Sequence, residues 1–286
     1  MKEKAKNTFE NMTTTSNKSS KTFLIAIAAV AVLLLLGNLA TFFNQEESEP
    51  TRKTTTSKKS NITDKQISEN KTSEVQQLNE QGTQELQAKK YEEAITTFTK
   101  LVKLRPKDAA TYHNLGVAHH KKGDYKQAIA VFQQAIDIDA DFVEAYFSMA
   151  VAHEKLKQQD MALKYFNKAL SLDKSSTKCL LHIGMIYDDK KDYEKAIESY
   201  EKAIAIDKNY EVVHYNLGNI YLKQSKYQEA ITAYENAIAA KEDYAKPYVN
   251  LANCYMRTGD TAKAQILFRK AIKLDPNLQK KARKAK

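Results

Sequence analysis

Between residues 75 and 278, apolar side chains recur three, four and seven positions apart, the period of an amphipathic helix. The stretch His214 to Ile238, "HYNLGNIYLKQSKYQEAITAYENAI", shows the pattern with Leu217 and Tyr221, then Ala230, Tyr234, Ala237 and Ile238. Breakers such as "KGD" (122–124), "QSK" (224–226) and "TGD" (258–260) interrupt it, which predicts pairs of antiparallel helices joined by short turns. Gly218 sits in the middle of one such helix, where glycine costs about 1 kcal/mol against alanine. Its counterparts at a spacing of 34 are Gly82, Gly116, Ala150, Gly184 and Ala252. Ala230 aligns with Ala94, Ala128, Ala162, Ala196 and Ala264, and Tyr234 with Phe98, Phe132, Phe166, Tyr200 and Phe268. Ala237 aligns with Leu101, Ala135, Ala169, Ala203 and Ala271. The register never slips, so the chain holds six units: 75–108, 109–142, 143–176, 177–210, 211–244 and 245–278. A fixed period of this length marks a solenoid, in which each unit buries its apolar face only against its neighbours. The small residues mark helix crossings, where they let backbones approach, and Tyr234 fills the space beside them.

Upstream the texture changes twice. Phe23 to Phe43, "FLIAIAAVAVLLLLGNLATFF", is 21 residues without a charge, long enough to cross a bilayer as a helix. It follows a polar segment, 1–22, and is expected to be a retained transmembrane anchor. Two alternatives stand beside it: a signal peptide cleaved after "NLA" (38–40), and a buried globular helix. Five basic residues before the span against four after it place the N-terminus in the cytoplasm and the repeats on the opposite side. Residues 44–74, rich in Ser, Thr, Lys and Glu, bury too little to fold and read as a disordered linker. The linker holds "NIT" (61–63) and "NKT" (70–72), which match the glycan acceptor pattern by chance more readily than by function.

The segments "YHNLGVAHHKKGDYKQAIAVFQQAI" (112–136) and "YVNLANCYMRTGDTAKAQILFRKAI" (248–272) resemble the tetratricopeptide repeat family. The resemblance spans all six units and implies an all-α fold, a right-handed superhelical solenoid of helix pairs. Gln81 and Glu85 stand where later repeats carry Leu217 and Tyr221, which suits a water-facing first unit. Pro106 and Pro276 stop the second helix in the first and last repeats, while Ala140, Lys174, Lys208 and Glu242 replace proline in the middle four. In this family the first helices line a concave groove that holds a protein partner or an extended peptide. By that resemblance the groove residues here are Asn114, Phe147, His182, Tyr215, Asn216, Asn219, Lys246, Asn250, Asn253 and Arg257. "YNLGN" (215–219) and "VNLAN" (249–253) repeat Asn at two places, similar to the asparagine ladder of the sugar-transferring tetratricopeptide proteins. An amide both donates and accepts, so it can hold a peptide backbone whatever its side chains. The carboxylate clamp of chaperone adaptors fits less well, because Leu181 and Met185 stand where it needs Lys and Asn.

Charge alters the picture little. The net +10 lies mostly at the ends: residues 1–43 carry +3, and the basic tail 279–286, "QKKARKAK", carries +5. The repeats carry 29 basic and 27 acidic groups, a balance that argues against a nucleic-acid groove. Cys179 and Cys254 form no paired motif and read as buried thiols. His119 and His153 take the inward position of Tyr187, Tyr221 and Tyr255, and His113 and His120 lack a third ligand for a metal. Asp188 and Asp189 end a helix as a solvated turn. No phosphate loop, nucleophile elbow or zinc motif is present, so no catalytic, cofactor or metal site is expected. The expected function is a membrane-anchored scaffold that binds a protein or peptide partner. A soluble exported adaptor is the alternative if the apolar segment is cleaved. A structural protein that self-assembles through its last, uncapped repeat is another.

Overall fold

A computed structural model describes residues 64–278 of the chain, and among them the backbone forms α-helices and no strand. In chain order these are α1 (Asp64–Gln87), α2 (Tyr91–Leu104), α3 (Ala109–Lys122), α4 (Tyr125–Ile138), α5 (Val143–Lys155) and α6 (Gln159–Leu172). They continue as α7 (Thr177–Asp189), α8 (Tyr193–Ile206), α9 (Glu211–Lys223), α10 (Tyr227–Ala240), α11 (Ala245–Thr258) and α12 (Thr261–Leu274). Each odd-numbered helix packs against the even-numbered helix that follows, and each even-numbered helix packs against the next odd one. Six hairpins therefore stack in chain order. The odd helices also approach one another, α3 with α5, α7 with α9 and α9 with α11, and the even helices show no comparable approach. A stack whose first helices touch bends with those helices on its inner side.

The repeated small residues mark the close contact inside each hairpin. A Cβ built on Gly218 would lie 2.6 Å from the Tyr234 ring, and one on Gly82 would lie 2.7 Å from Phe98. Gly116 faces Phe132 and Gly184 faces Tyr200 in the same way. The helical cost of glycine is offset by the ring that fills its place. The alanines aligned with Ala230 are all fully buried, and the aligned aromatics from Phe98 to Tyr234 are buried to within 1%. Phe268, in the last hairpin, is only half-buried.

Turn chemistry explains where helices stop. Gly123 and Gly259 close α3 and α11 in the left-handed conformation, with φ of 97° and 94°. At the same register Lys89, Lys157, Lys191 and Ser225 adopt φ of 58–61° without being glycine. In three of the four middle repeats an aspartate marks the stop in the absence of proline. Asp139, Asp173 and Asp207 each accept a hydrogen bond from the backbone N–H two residues on, at 2.9–3.0 Å, and Asp275 does the same beside Pro276. Such a side chain offers the backbone an alternative to the next helical turn.

One boundary differs from the sequence reading. α1 begins at Asp64, so residues 64–74, assigned above to a disordered linker, are helical. Val75, Leu78 and Leu86 pack on the first hairpin's core and nucleate the helix. Extending a formed helix through Lys, Glu and Gln costs far less than starting one, and no Gly or Pro interrupts. "NKT" (70–72) consequently lies within α1. Gln81 and Glu85, the polar departures of the first repeat, are satisfied internally: Gln81 donates to Glu85 at 2.7 Å, and Glu85 accepts from Thr97 at 2.8 Å. The proposed anchor 23–43, the rest of the linker and the basic tail lie outside the described residues. No helix among the described residues is long and apolar enough to cross a membrane.

Candidate binding face on the odd-numbered helices

Every junction between successive odd helices carries a side-chain rung between residues 35 apart. Asn114 Nδ2 donates to Asn79 Oδ1 at 3.3 Å, joining α1 and α3. His113 Nε2 and Ser148 Oγ are 2.9 Å apart, joining α3 and α5. Phe147 and His182 meet edge to face at 5.5 Å between α5 and α7. Lys223 Nζ lies 2.7 Å from both carboxylate oxygens of Asp188, joining α7 and α9. Asn250 Nδ2 lies 3.5 Å from Tyr215 Oη, joining α9 and α11. The separation of 35, one more than the repeat, means that each rung links one register position to the next position along in the following repeat.

The residues expected in the groove fall into two clusters and several outliers. In repeats three and four, Phe147 and His182 both pack on the buried Phe166 ring, at 5.5 and 5.0 Å. His182 Nδ1 also pairs with Glu154 Oε2 at 2.8 Å. Beside them a cleft of about 420 Å³ is lined by His113, Glu144, Phe147, Ser148 and Lys178, among others. In repeats five and six, Asn250 Nδ2 donates to Asn219 Oδ1 at 2.8 Å, and Tyr234 Oη donates to the same oxygen at 2.9 Å. Tyr215 stacks obliquely on Tyr244 and Tyr234, at 5.3 and 6.0 Å between ring centroids. Asn253 and Arg257 are exposed and line a second cleft with Leu222, Ser225, Tyr227 and Met256. Asn216 is half-buried, Lys246 is exposed, and Asn114 belongs to the first junction, away from both clusters. Asn250 is turned to Tyr215 and Asn219, on the preceding odd helix.

The titratable groups serve packing. His153 is buried, stacks on Tyr165 at 5.3 Å and pairs with Gln158 at 2.6 Å. Burial pushes His113, His119 and His120 below the ordinary imidazole value, against the opposing pull of Glu144 on His113 and of Asp124 on His119. Cys179 and Cys254 are free and fully buried, and burial raises the Cys254 thiol to about 11. A thiol that holds its proton so firmly is a poor nucleophile. Among the described residues no cluster of His, Cys, Asp or Glu has the makings of a metal site.

Sequence reasoning missed Asn79, Ser148, Glu154 and the amide-holding role of Tyr234. The signal that reveals the rung partners is pairing at 35 residues rather than 34.

Family models described as "TPR repeat" match residues 82–123, 118–157 and 184–225, and models described as "Tetratricopeptide repeat" match 143–176 and 209–277. No curated protein matches the sequence. Among solved structures the fold is similar to MamA, at 24% identity and a TM-score of 0.53, over 58% of this chain and 97% of that one. It is similar to YrrB, described as a TPR protein with an unusual peptide-binding site, at 19% identity and a TM-score of 0.51, over 63% and 92% of the two chains. PilF of Pseudomonas aeruginosa aligns at 17% identity and a TM-score of 0.62, over 72% of this chain and 94% of that one.

Proposed function

The chain belongs to the tetratricopeptide repeat family, and we propose that it is a membrane-anchored scaffold whose odd-numbered helices hold a protein partner through an extended segment. The observation that carries this reading is the row of half-buried amides and aromatics on one face, Phe147, Tyr215, Asn216, Asn219 and Asn250, next to two open clefts. A face built for solvent alone has no need of such groups, and a peptide backbone is the ligand they fit. The peptide-binding site ascribed to YrrB, on a similar fold, supports the same use. The apolar segment 23–43 serves as the anchor, with the N-terminus in the cytoplasm and the repeats across the membrane. Anchoring then raises the local concentration of the partner at the surface.

The test replaces Asn216 and Asn253, which have no hydrogen-bond partner among the described residues, with Ala. Two lost hydrogen bonds at about 0.5–1.5 kcal/mol each weaken capture of the partner about ten-fold. Asn236→Ala, on α10, leaves capture unchanged. Photo-crosslinking from position 216 in intact cells identifies the captured protein. Equal capture by all three forms removes the groove reading, and equal loss in Asn236→Ala moves the binding face elsewhere. For the anchor, the full chain stays in membranes after alkaline washing, and a mature form beginning near Thr41 would establish cleavage instead.

A second reading is favoured by one observation. Phe268 is half-buried where its five counterparts are covered, so the last hairpin offers an apolar edge for another copy. Concentration-dependent sedimentation separates an assembling protein from a monomeric adaptor.

A further inference from the structure

We infer that the outward face of α12, with the basic tail that follows it, docks on a membrane surface of anionic phospholipid. Counted from Ile266, Lys263 lies three residues before, and Arg269, Lys270 and Lys273 lie three, four and seven after. That spacing puts all five on one side of the helix, and all five are exposed. Four are cations, with no acid among them. At the same positions α10 carries Glu229, Thr232, Glu235, Asn236 and Ala239, and no other even helix has more than two cations there. Arg269, Lys270 and Lys273 make no ion pair among the described residues, and Lys263 makes a long one with Asp260, at 3.8 Å. The charge continues past the helix. Between Lys263 and Lys286 stand nine cations and a single acid, Asp275, which accepts the Asn277 N–H at 3.0 Å as part of the helix stop.

Ile266 decides which anion the stripe suits. It is 64% exposed, more than any other large apolar side chain among the described residues, and cations surround it. Ala264 and Ala271 are the buried residues of α12, so the core has no use for this isoleucine. Phe268, two positions on, lies about 200° around the helix, so the stripe is distinct from the apolar edge described above. A bilayer boundary offers phosphates to the cations and acyl chain to the isoleucine. A nucleic acid strand would call for aromatic rings to stack its bases, and the stripe has none. Each Lys or Arg near an anionic surface strengthens attachment about five-fold, so four or more make a firm but reversible contact. The inference draws on the anchor reading only for nearness: a span at 23–43 keeps a lipid surface within reach.

The experiment mixes the full-length protein with vesicles of phosphatidylcholine, made with and without phosphatidylglycerol. Ala262→Cys, exposed and one turn before Ile266, carries a fluorophore that nitroxide-bearing headgroups quench where the two meet. Cys179 and Cys254 are fully buried, and the unsubstituted chain treated alike gives the background. The expected result is strong quenching with phosphatidylglycerol and little without it. Raising salt from about 0.1 to 1 M, which shrinks the Debye length from about 10 to 3 Å, reverses it. Lys263→Gln, Arg269→Gln, Lys270→Gln and Lys273→Gln each lower the ratio of docked to free protein about five-fold, and deleting 279–286 lowers it further. Ile266→Ser weakens docking at unchanged charge. Lys100→Gln with Lys103→Gln, the α2 counterparts of Lys270 and Lys273, leaves docking as it was. Quenching that ignores lipid charge, or that falls equally with the α2 changes, overturns the inference. A signal that follows protein concentration instead of lipid charge means that the face meets an acidic surface of another copy, and overturns it too. Flotation of the same samples separates this from the anchor reading. A chain that floats with phosphatidylcholine alone, without charge-dependent quenching, keeps its anchor and loses the docking face. One that floats only with phosphatidylglycerol keeps the docking face and loses the anchor.

Discussion

Tyr200 and Tyr234 occupy one register position in successive repeats, are equally buried, and face Gly184 and Gly218. Their hydroxyls differ. Tyr234 Oη donates to Asn219 at 2.9 Å, while Tyr200 Oη, also buried, has no hydrogen-bond partner among the described residues. Tyr→Phe therefore has opposite consequences at the two sites. At 234 it removes a made bond, a loss of about 0.5–1.5 kcal/mol. At 200 it removes an unsatisfied buried hydroxyl, whose desolvation costs about 1–3 kcal/mol, so the variant is more stable by up to that amount. Space is no obstacle, because Phe98, Phe132 and Phe166 fill the same place at 0–1% exposure. The two variants should differ by about 1.5–4.5 kcal/mol, summing the ranges. For an array of this size that separates their melting points by roughly 3–18 °C. The assay is urea and thermal unfolding of a fragment from residue 64, followed by circular dichroism, with global fits that allow repeats to unfold separately. Equal destabilisation by both changes would refute the reasoning, since it would mean that the Tyr200 hydroxyl finds a partner in solution.

Other perturbations follow from the packing and the turns. Ala230→Leu forces bulk into a fully buried site and should cost about 1–3 kcal/mol; an unchanged urea midpoint would move the helix crossing elsewhere. Ser225→Gly relieves a left-handed residue at φ 58° and should stabilise by about 0.5–1 kcal/mol, read as a raised melting point, with Gly123 in its αL conformation as the internal precedent. Acid should loosen the second repeat. His113, His119 and His120 are held below the ordinary imidazole value in the folded chain, so the unfolded chain takes up protons first. Their contribution is complete above about pH 6.5 and is lost as pH falls toward the lower folded values. The urea midpoint should drop between pH 7.5 and 5.5, and less so in His113→Gln; an identical drop in that variant would clear His113 of the effect.

The repeat count, the register and the glycine–aromatic contact were legible in the sequence because they recur at identical positions, 34 residues apart. Gly82, Gly116, Gly184 and Gly218 announced a close approach, and the ring opposite each one supplies it. The start of α1 was not legible. Residues 64–74 carry no apolar period, and only the packing of Val75 and Leu78 makes their extension of the helix favourable. Helix stops in the middle repeats were obscured by looking for proline, although Asp139, Asp173 and Asp207 stand in the sequence with the same meaning. At the candidate site the repeat pattern put the expected residues on the first helices, which do approach one another, but the partnership of Asn250 with Tyr215, Asn219 and Tyr234 was hidden. Aligning repeats compares like with like, whereas contacts across the stack join unlike positions.

That offset gives the inner face a direction. At each of the five junctions a residue of one repeat reaches the residue one step further along in the next. The rungs are slanted, and turning the stack end for end does not reproduce them. A peptide in extended form has a direction of its own, because its N–H and C=O groups change order when the chain is reversed. Two oriented objects fit in one sense only, so a ligand and its reversed sequence, identical in composition and charge, are different molecules to this face.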